Sequence, residues 1–158
     1  MKKIMFVCHG NICRSPMAEF IFKDMIRKKK KQGTFEISSS ATSTEEIWGG
    51  VGNPIYPPAK AVLEAHNILF SERRATLLRK DDYDKYDLFV CMDNRNVEGI
   101  MRIFGNDKDE KVKLLMSYTK TGKNEIADPW YSGNFEETYN DIYVGCECLL
   151  KAMEGFGE

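Results

Sequence analysis

Cys8 and Arg14 bracket the most chemically suggestive stretch of the chain, CHGNICRS, with five residues between them. These residue types at this spacing suit the capture of a phosphate. A loop of this length can curl so that several backbone N–H groups face one bowl, and such a bowl at a helix start binds anions. Arg14 carries a planar fork that can hold two phosphate oxygens from the rim. Cys8, at the floor, sits where the same amides and the helix dipole favour a thiolate. A cradle for a dianion therefore also prepares a sulfur nucleophile aimed at phosphorus. C-x5-R alone arises often by chance, so its setting carries the argument. His9, Gly10, Asn11, Ile12 and Cys13 fill the loop and Ser15 follows it. Gly10 and Asn11 both tolerate positive φ. Two reactive side chains flanking such a turn, between a strand and a helix, call for an explanation beyond packing.

The flanking elements must hold that loop. KIMFVC, Lys3 to Cys8, reads as a short buried strand. Ser15-Pro16 reads as a helix start, with Ser15 as cap and Pro16 at the first helical position. Met17, Phe20, Ile21, Met25 and Ile26 follow at helical spacing, and the basic run Arg27 to Lys31 closes that helix before Gly33. Phe35 to Ala41 reads as a second strand. Thr42 to Pro58, rich in Gly, Pro and Ser/Thr, reads as a long ordered loop of the kind that is usually functional. Pro58 to Leu69 reads as a helix with Ala61, Val62, Ala65 and Leu69 on one face. Leu88 to Met92 and Val112 to Met116 read as further strands. Asn94 to Phe104 reads as a helix stopped at Gly105, Thr119 to Gly133 as loop, and Phe135 to Met153 as a final amphipathic helix. Alternating strands and helices predict an α/β fold with a parallel sheet flanked by helices. Ligands of such sheets bind beyond the strand C-termini, where CHGNICRS falls.

Length and composition bound the alternatives. The 158 residues suggest one domain over 1–158. Lys+Arg number 23 and Asp+Glu 24, so charge gives no reason to expect nucleic-acid or membrane-surface binding. No apolar run approaches the roughly 18 residues of a membrane span. Ile4 to Val7 is too short for a signal-peptide core, so a cytoplasmic protein is expected. The five cysteines are odd in number and lack a CxxC pair, which argues against a disulfide framework. With only His9 and His66 besides, no structural zinc site is expected. Cys91, Cys146 and Cys148 read as packing residues.

VCHGNICRSPMAE, Val7 to Glu19, resembles the signature of the low-molecular-weight protein tyrosine phosphatases. The resemblance continues through SSATS (Ser39 to Ser43), His66, VCMD (Val90 to Asp93) and DPW (Asp128 to Trp130), and so covers nearly the whole chain. It implies a four-stranded parallel sheet with helices on both faces. It also implies hydrolysis of phosphotyrosine in a protein or peptide through a cysteinyl-phosphate, without metal or other cofactor, and inhibition by inorganic phosphate or similar oxyanions. Under that chemistry the leaving phenolate, whose conjugate acid has a pKa near 10, needs a proton as the P–O bond breaks. Asp128 matches the family's acid, and Pro129 restricts its backbone toward an extended shape. A dianionic ester beside a thiolate favours the protonated carboxyl. After the phenol leaves, the same residue would act as base on water.

Trp130 and Tyr131 can form walls for a flat aryl ring, favouring phosphotyrosine over phosphoserine. Trp48, in the long 42–58 loop with Glu45, Glu46 and Ile47, is a candidate second wall. The family implies that Asn11, Ser15, Ser39 and His66 form a hydrogen-bond network holding the loop, with Ser15 also donating to the Cys8 thiolate. It further implies a reversible Cys8–Cys13 disulfide under peroxide. His9 stands beside the nucleophile, where its imidazole can meet substrate.

Three other readings compete. Arsenate reduction on the same fold needs two more cysteines after the middle helix, and residues 71–87 contain none. Protein-arginine phosphatases resemble this family but usually carry Thr where this chain has Ile12, whose branched apolar side chain favours an aryl ester. A phosphate sensor without turnover needs neither the Cys8 nucleophile nor the Asp128 acid.

Overall fold

The computed structural model describes residues 1–156 of the chain. The last two residues of the domain expected over 1–158 lie outside the described residues. Four strands form a parallel sheet: β1 (Lys2–Cys8), β2 (Phe35–Ala41), β5 (Leu88–Cys91) and β6 (Val112–Leu114), in the order β2-β1-β5-β6. The expected four-stranded α/β sheet is therefore present. A two-stranded antiparallel ribbon, β3 (Ile47–Trp48) with β4 (Val51–Gly52), lies apart from it.

The period of two along β1 sorts the core. Ile4, Phe6 and Cys8 point to one face, where α1 (Arg14–Lys28), α2 (Pro57–Ala65) and α5 (Phe135–Phe156) cover them. Met5 and Val7 point to the other, covered by α3 (Asn94–Phe104) through Ile100 and Phe104. Helices on both faces explain why β1 and β5 read as unbroken apolar runs. Phe6, Phe22 and Phe89 are among the largest fully buried side chains, each worth about 1.5–3 kcal/mol of burial. α1 is buried along most of its length, including Glu19 and Asp24. From β1 the sheet grows to β2 on one side and β5 on the other, and this reversal opens a crevice beyond the C-terminus of β1.

Several element boundaries differ from those read in the sequence. Ser15 lies inside α1, whose cap position is Cys13 without a side-chain bond, because the Ser15 hydroxyl is engaged elsewhere. α2 stops at Ala65, and Asn67 at φ 58 turns the chain, so Leu69 is left exposed instead of on the buried face. The 42–58 segment holds the β3–β4 hairpin rather than plain loop, made possible by Gly49 and Gly50 at φ 58 and 80. The 119–133 segment likewise contains one helical turn, α4 (Pro129–Ser132). β6 ends early, and its last residues tighten into a 3₁₀ turn over Leu115–Tyr118.

Candidate active site

Residues 9–13 carry the chain from Cys8, at the end of β1, into α1. Asn11 takes the left-handed conformation, at φ 60, while Gly10 does not. Gly10 serves space instead: a Cβ there would lie 3.1 Å from the side chain of Glu46. Asparagine tolerates φ > 0 better than most residues but needs partners to remain there. Its amide has four. Nδ2 donates to Ser15 Oγ at 2.8 Å and to Ser39 Oγ at 3.0 Å, and Oδ1 accepts from Arg73 Nη2 at 2.6 Å and from the Thr76 N–H at 3.1 Å.

Those bonds reach the sulfur. Ser15 Oγ accepts from Asn11, so its single proton is free for Cys8 Sγ, 2.9 Å away. The N–H groups of Asn11 and Ser15 also donate to Sγ, at 3.3 and 3.4 Å. Three fixed donors thus converge on one buried sulfur. Among the described residues the N–H groups of Gly10, Ile12, Cys13 and Arg14 have no protein acceptor. All four residues line a cavity of about 130 Å³ together with Cys8, His9, Asn11, Glu45, Glu46, Asp128, Trp130 and Tyr131.

Arg14 lies deeper than the rim position expected for it and is 2% exposed. Nη1 donates to Asp93 Oδ2 at 2.7 Å and to the Ile126 carbonyl at 2.9 Å, and Nη2 stands 3.5 Å from Asp128 Oδ2. Burial alone would lower its pKa, but negative charge at Cys8, Asp93 and Asp128 outweighs burial and raises it, so the guanidinium stays charged. The two acids are oriented alike. Asp93 caps α3 through Oδ1, which accepts the Asn96 N–H, and Asp128 caps α4 through Oδ1, which accepts the Trp130 N–H. In each case Oδ2 is left for Arg14. One Asp128 side chain thus caps a helical turn and reaches Arg14.

The aromatic residues divide. Tyr131 is 80% exposed at the cavity mouth, and Trp130, half exposed, also leans on Tyr56 with ring centroids 4.8 Å apart. Trp48 does not line the cavity; the hairpin carries it outward, 74% exposed. His9 pairs with Glu45 at 2.9 Å and so links the loop to the hairpin segment. Cys13 is buried, and burial together with the negative charges at Cys8 and Asp128 pushes its thiol far up.

His66 is the clearest departure from expectation. It stands at the end of α2, bonded to the Glu136 carboxylate at 3.0 Å and stacked on Tyr139 at 3.8 Å, with no bond to Asn11, Ser15 or Ser39. Arg73 and Glu19 occupy the role expected of it. Arg73 Nη1 donates to Glu19 Oε1 at 2.6 Å and to Ser39 Oγ, while Ser39 Oγ donates to the same carboxylate at 2.6 Å. Lys23 closes the far side of Glu19 at 2.7 Å. The segment bearing Arg73 is held against the end of β2, where the Ala41 N–H donates to the Thr76 carbonyl and the Leu78 N–H to the Ala41 carbonyl. Glu19 had a sequence signal, a carboxylate amid the apolar stripe of α1 one turn after Ser15. Arg73 had none.

A sulfur with three donors, an array of unpaired amides, a fixed guanidinium and a nearby carboxyl form a site that can bind an oxyanion and attack it. The family model of the low molecular weight phosphotyrosine protein phosphatases matches residues 3–155. The phosphatase YfkJ of Bacillus subtilis is 34% identical over 155 residues, covering 98% of this chain and 97% of that protein. Its crystal structure overlays with a TM-score of 0.93, covering 100% of this chain and 98% of that one at 33% identity. The low molecular weight phosphotyrosine protein phosphatase of Gallus gallus is 36% identical, over 97% of this chain and 94% of that protein. A Drosophila arginine phosphatase overlays with a TM-score of 0.83 at 26% identity, covering 97% of this chain and 98% of that one. On its sequence and its architecture together, the chain belongs to the low molecular weight phosphotyrosine protein phosphatase family.

Proposed function

We propose that the chain hydrolyses phosphotyrosine in proteins or peptides in two steps, with Cys8 as nucleophile, Arg14 as phosphate clamp and Asp128 as acid and base. The observation that supports this reading most is the placing of four unpaired amides above a triply hydrogen-bonded sulfur in one small cavity. The ester's phosphate enters that cavity, held by the free amides of the loop and the Arg14 fork. Cys8 Sγ attacks phosphorus, an S–P bond forms, and the P–O bond to the aryl group breaks. The Asp128 carboxyl gives its proton to the departing phenolate oxygen. In the second step the Asp128 carboxylate takes a proton from water as that water attacks phosphorus. The S–P bond breaks, inorganic phosphate leaves, and the thiolate is restored.

Trp130 and Tyr131 flank the entrance and hold the aryl ring between them. Ile12 in the lining offers an apolar contact to that ring and no hydroxyl to a guanidinium. Inorganic phosphate and similar oxyanions compete for the same amides. Cys13 is the redox partner. Peroxide converts the Cys8 thiolate to a sulfenic acid, Cys13 sulfur attacks it, and a disulfide forms with loss of water. No described helix is long and apolar enough to cross a membrane.

The acid role is checked by leaving-group dependence. Asp128→Ala should lower kcat about 10²–10⁴-fold on phenyl phosphate and far less on para-nitrophenyl phosphate. An equal loss on both contradicts it, and faster turnover of phosphoarginine than phosphotyrosine by the native chain contradicts the substrate assignment. For the network, Arg73→Met should cost about 2 kcal/mol in urea unfolding, since it strips a buried carboxylate of one partner. It should also weaken inorganic-phosphate binding, because Asn11 loses a bond that fixes its turn. Unchanged phosphate affinity contradicts the link from Arg73 to the loop. Mild peroxide should yield a Cys8–Cys13 linkage in peptide mass spectra, reversed by thiol; Cys8 sulfinic acid without the linkage contradicts the redox pairing.

A further inference from the structure

His9 borders three cavities. Beyond it from the phosphate loop lies a larger groove, of about 610 Å³, between α3 and residues 42–44. Arg95, Glu98 and Arg102 fall at i, i+3 and i+7, so they share one face of α3 and line one wall. Ser43 and Thr44 line the other. That wall is tied to the phosphate loop, because the Thr42 N–H donates to the Cys8 carbonyl at 3.0 Å and the Ser43 N–H to the His9 carbonyl at 3.1 Å. Gly99 permits the close approach: a Cβ there would lie 2.8 Å from Thr42 Cβ. Arg95 also borders a recess shared with Arg14, Asp93 and Asp128, so the groove opens beside the point of phosphate capture.

The charges in this groove are unspent. Arg14, Arg27, Arg73 and Arg74 all hold protein acceptors. Arg95 and Arg102 are exposed and form no ion pair or side-chain hydrogen bond among the described residues. Glu98 offsets one of the two positive charges and leaves the other in excess. The Ser43 hydroxyl accepts the Glu45 N–H at 3.1 Å and keeps its own proton to donate. The rim of the catalytic cavity is acidic instead: Glu46, tied to Asn53 at 2.6 Å, lines that cavity, and Glu45, tied to His9, borders both the cavity and the recess that Arg95 shares. Positive charge without a protein partner is thus confined to the α3 wall of the groove.

We propose that the Arg95–Arg102 groove is a subsite for an anionic group on the same phosphopeptide, either an Asp or Glu carboxylate or a second phosphate. The proposal rests on the phosphatase reading above. It makes the chain select acidic sequence at the position whose side chain reaches Arg95 and Arg102.

The test measures kcat and KM for the native chain, Arg102→Ala and Arg102→Glu. The substrates are phosphotyrosine peptides carrying Glu, phosphoserine or Lys at each of three positions on either side, and para-nitrophenyl phosphate. The native chain should show a KM for the best acidic peptide roughly three- to tenfold below that of its Lys counterpart. Arg102→Ala should erase most of that difference and Arg102→Glu should invert it, with para-nitrophenyl phosphate unchanged throughout. A phosphoserine peptide binding better than its Glu counterpart assigns the subsite to a second phosphate, and equal values assign it to a carboxylate. KM values independent of the flanking residue in the native chain overturn the proposal, as does an Arg102 effect equal on all peptides and on para-nitrophenyl phosphate. Direct titration of the same peptides reads the subsite without turnover. Absent hydrolysis with charge-selective binding therefore rejects the phosphatase reading alone, and hydrolysis without charge selectivity rejects the subsite alone.

Discussion

A sulfur buried inside a protein has to find its hydrogen-bond donors within the protein, and this constraint shapes the molecule around Cys8. Cys8 is 3% exposed, and its sulfur's donors are the N–H groups of Asn11 and Ser15 and the Ser15 hydroxyl. Asn11 supplies one of these donors and orients another, from a left-handed turn that costs on the order of 1–3 kcal/mol in a non-glycine residue. The four bonds on the Asn11 amide offset that cost. The same turn leaves neighbouring amides without protein acceptors, so what solvates the sulfur also prepares a seat for an oxyanion.

The strain at the loop is carried outward by charge. Asn11 and Ser39 lead to Glu19, 6% exposed, which Arg73 and Lys23 neutralise. A buried carboxylate with two cations and a hydroxyl is costly to break at any point. That cost makes the arrangement stiff, and it fixes the loop before any ligand arrives, as electrostatic preorganisation requires. On the other wall, Asp93 and Asp128 each divide their oxygens between a helix cap and Arg14. One side chain therefore positions itself, its helix and the guanidinium at once.

The sheet, its faces and the phosphate loop were legible because their signals are local. The apolar runs of β1 and β5, the C-x5-R spacing and the Asn11 turn each sit within a few consecutive residues. The network was only half legible. Ser39 and Asn11 were found, but His66 was expected where Arg73 stands, because the partner of Asn11 arrives from a segment with no periodicity, docked by backbone bonds to the end of β2. Trp48 was expected at the cavity, yet the Gly49-Gly50 turn builds a hairpin that directs it outward. Ser15 looked like a helix cap by its type and place, whereas the sulfur and Asn11 claim its hydroxyl. At Ser15 the bond to the Cys8 sulfur overrode a correct local preference, whereas His66 was placed by resemblance and Trp48 by its position in a long loop.

The whole account depends on phosphorus passing through the Cys8 sulfur. Rapid acid quench of the native chain during para-nitrophenyl phosphate turnover, followed by peptide mass spectrometry, tests this directly. The account predicts a phosphorylated peptide bearing the group on Cys8, absent in Cys8→Ser. Full turnover with no phosphocysteine at any quench time, or undiminished hydrolysis by Cys8→Ser, would contradict it.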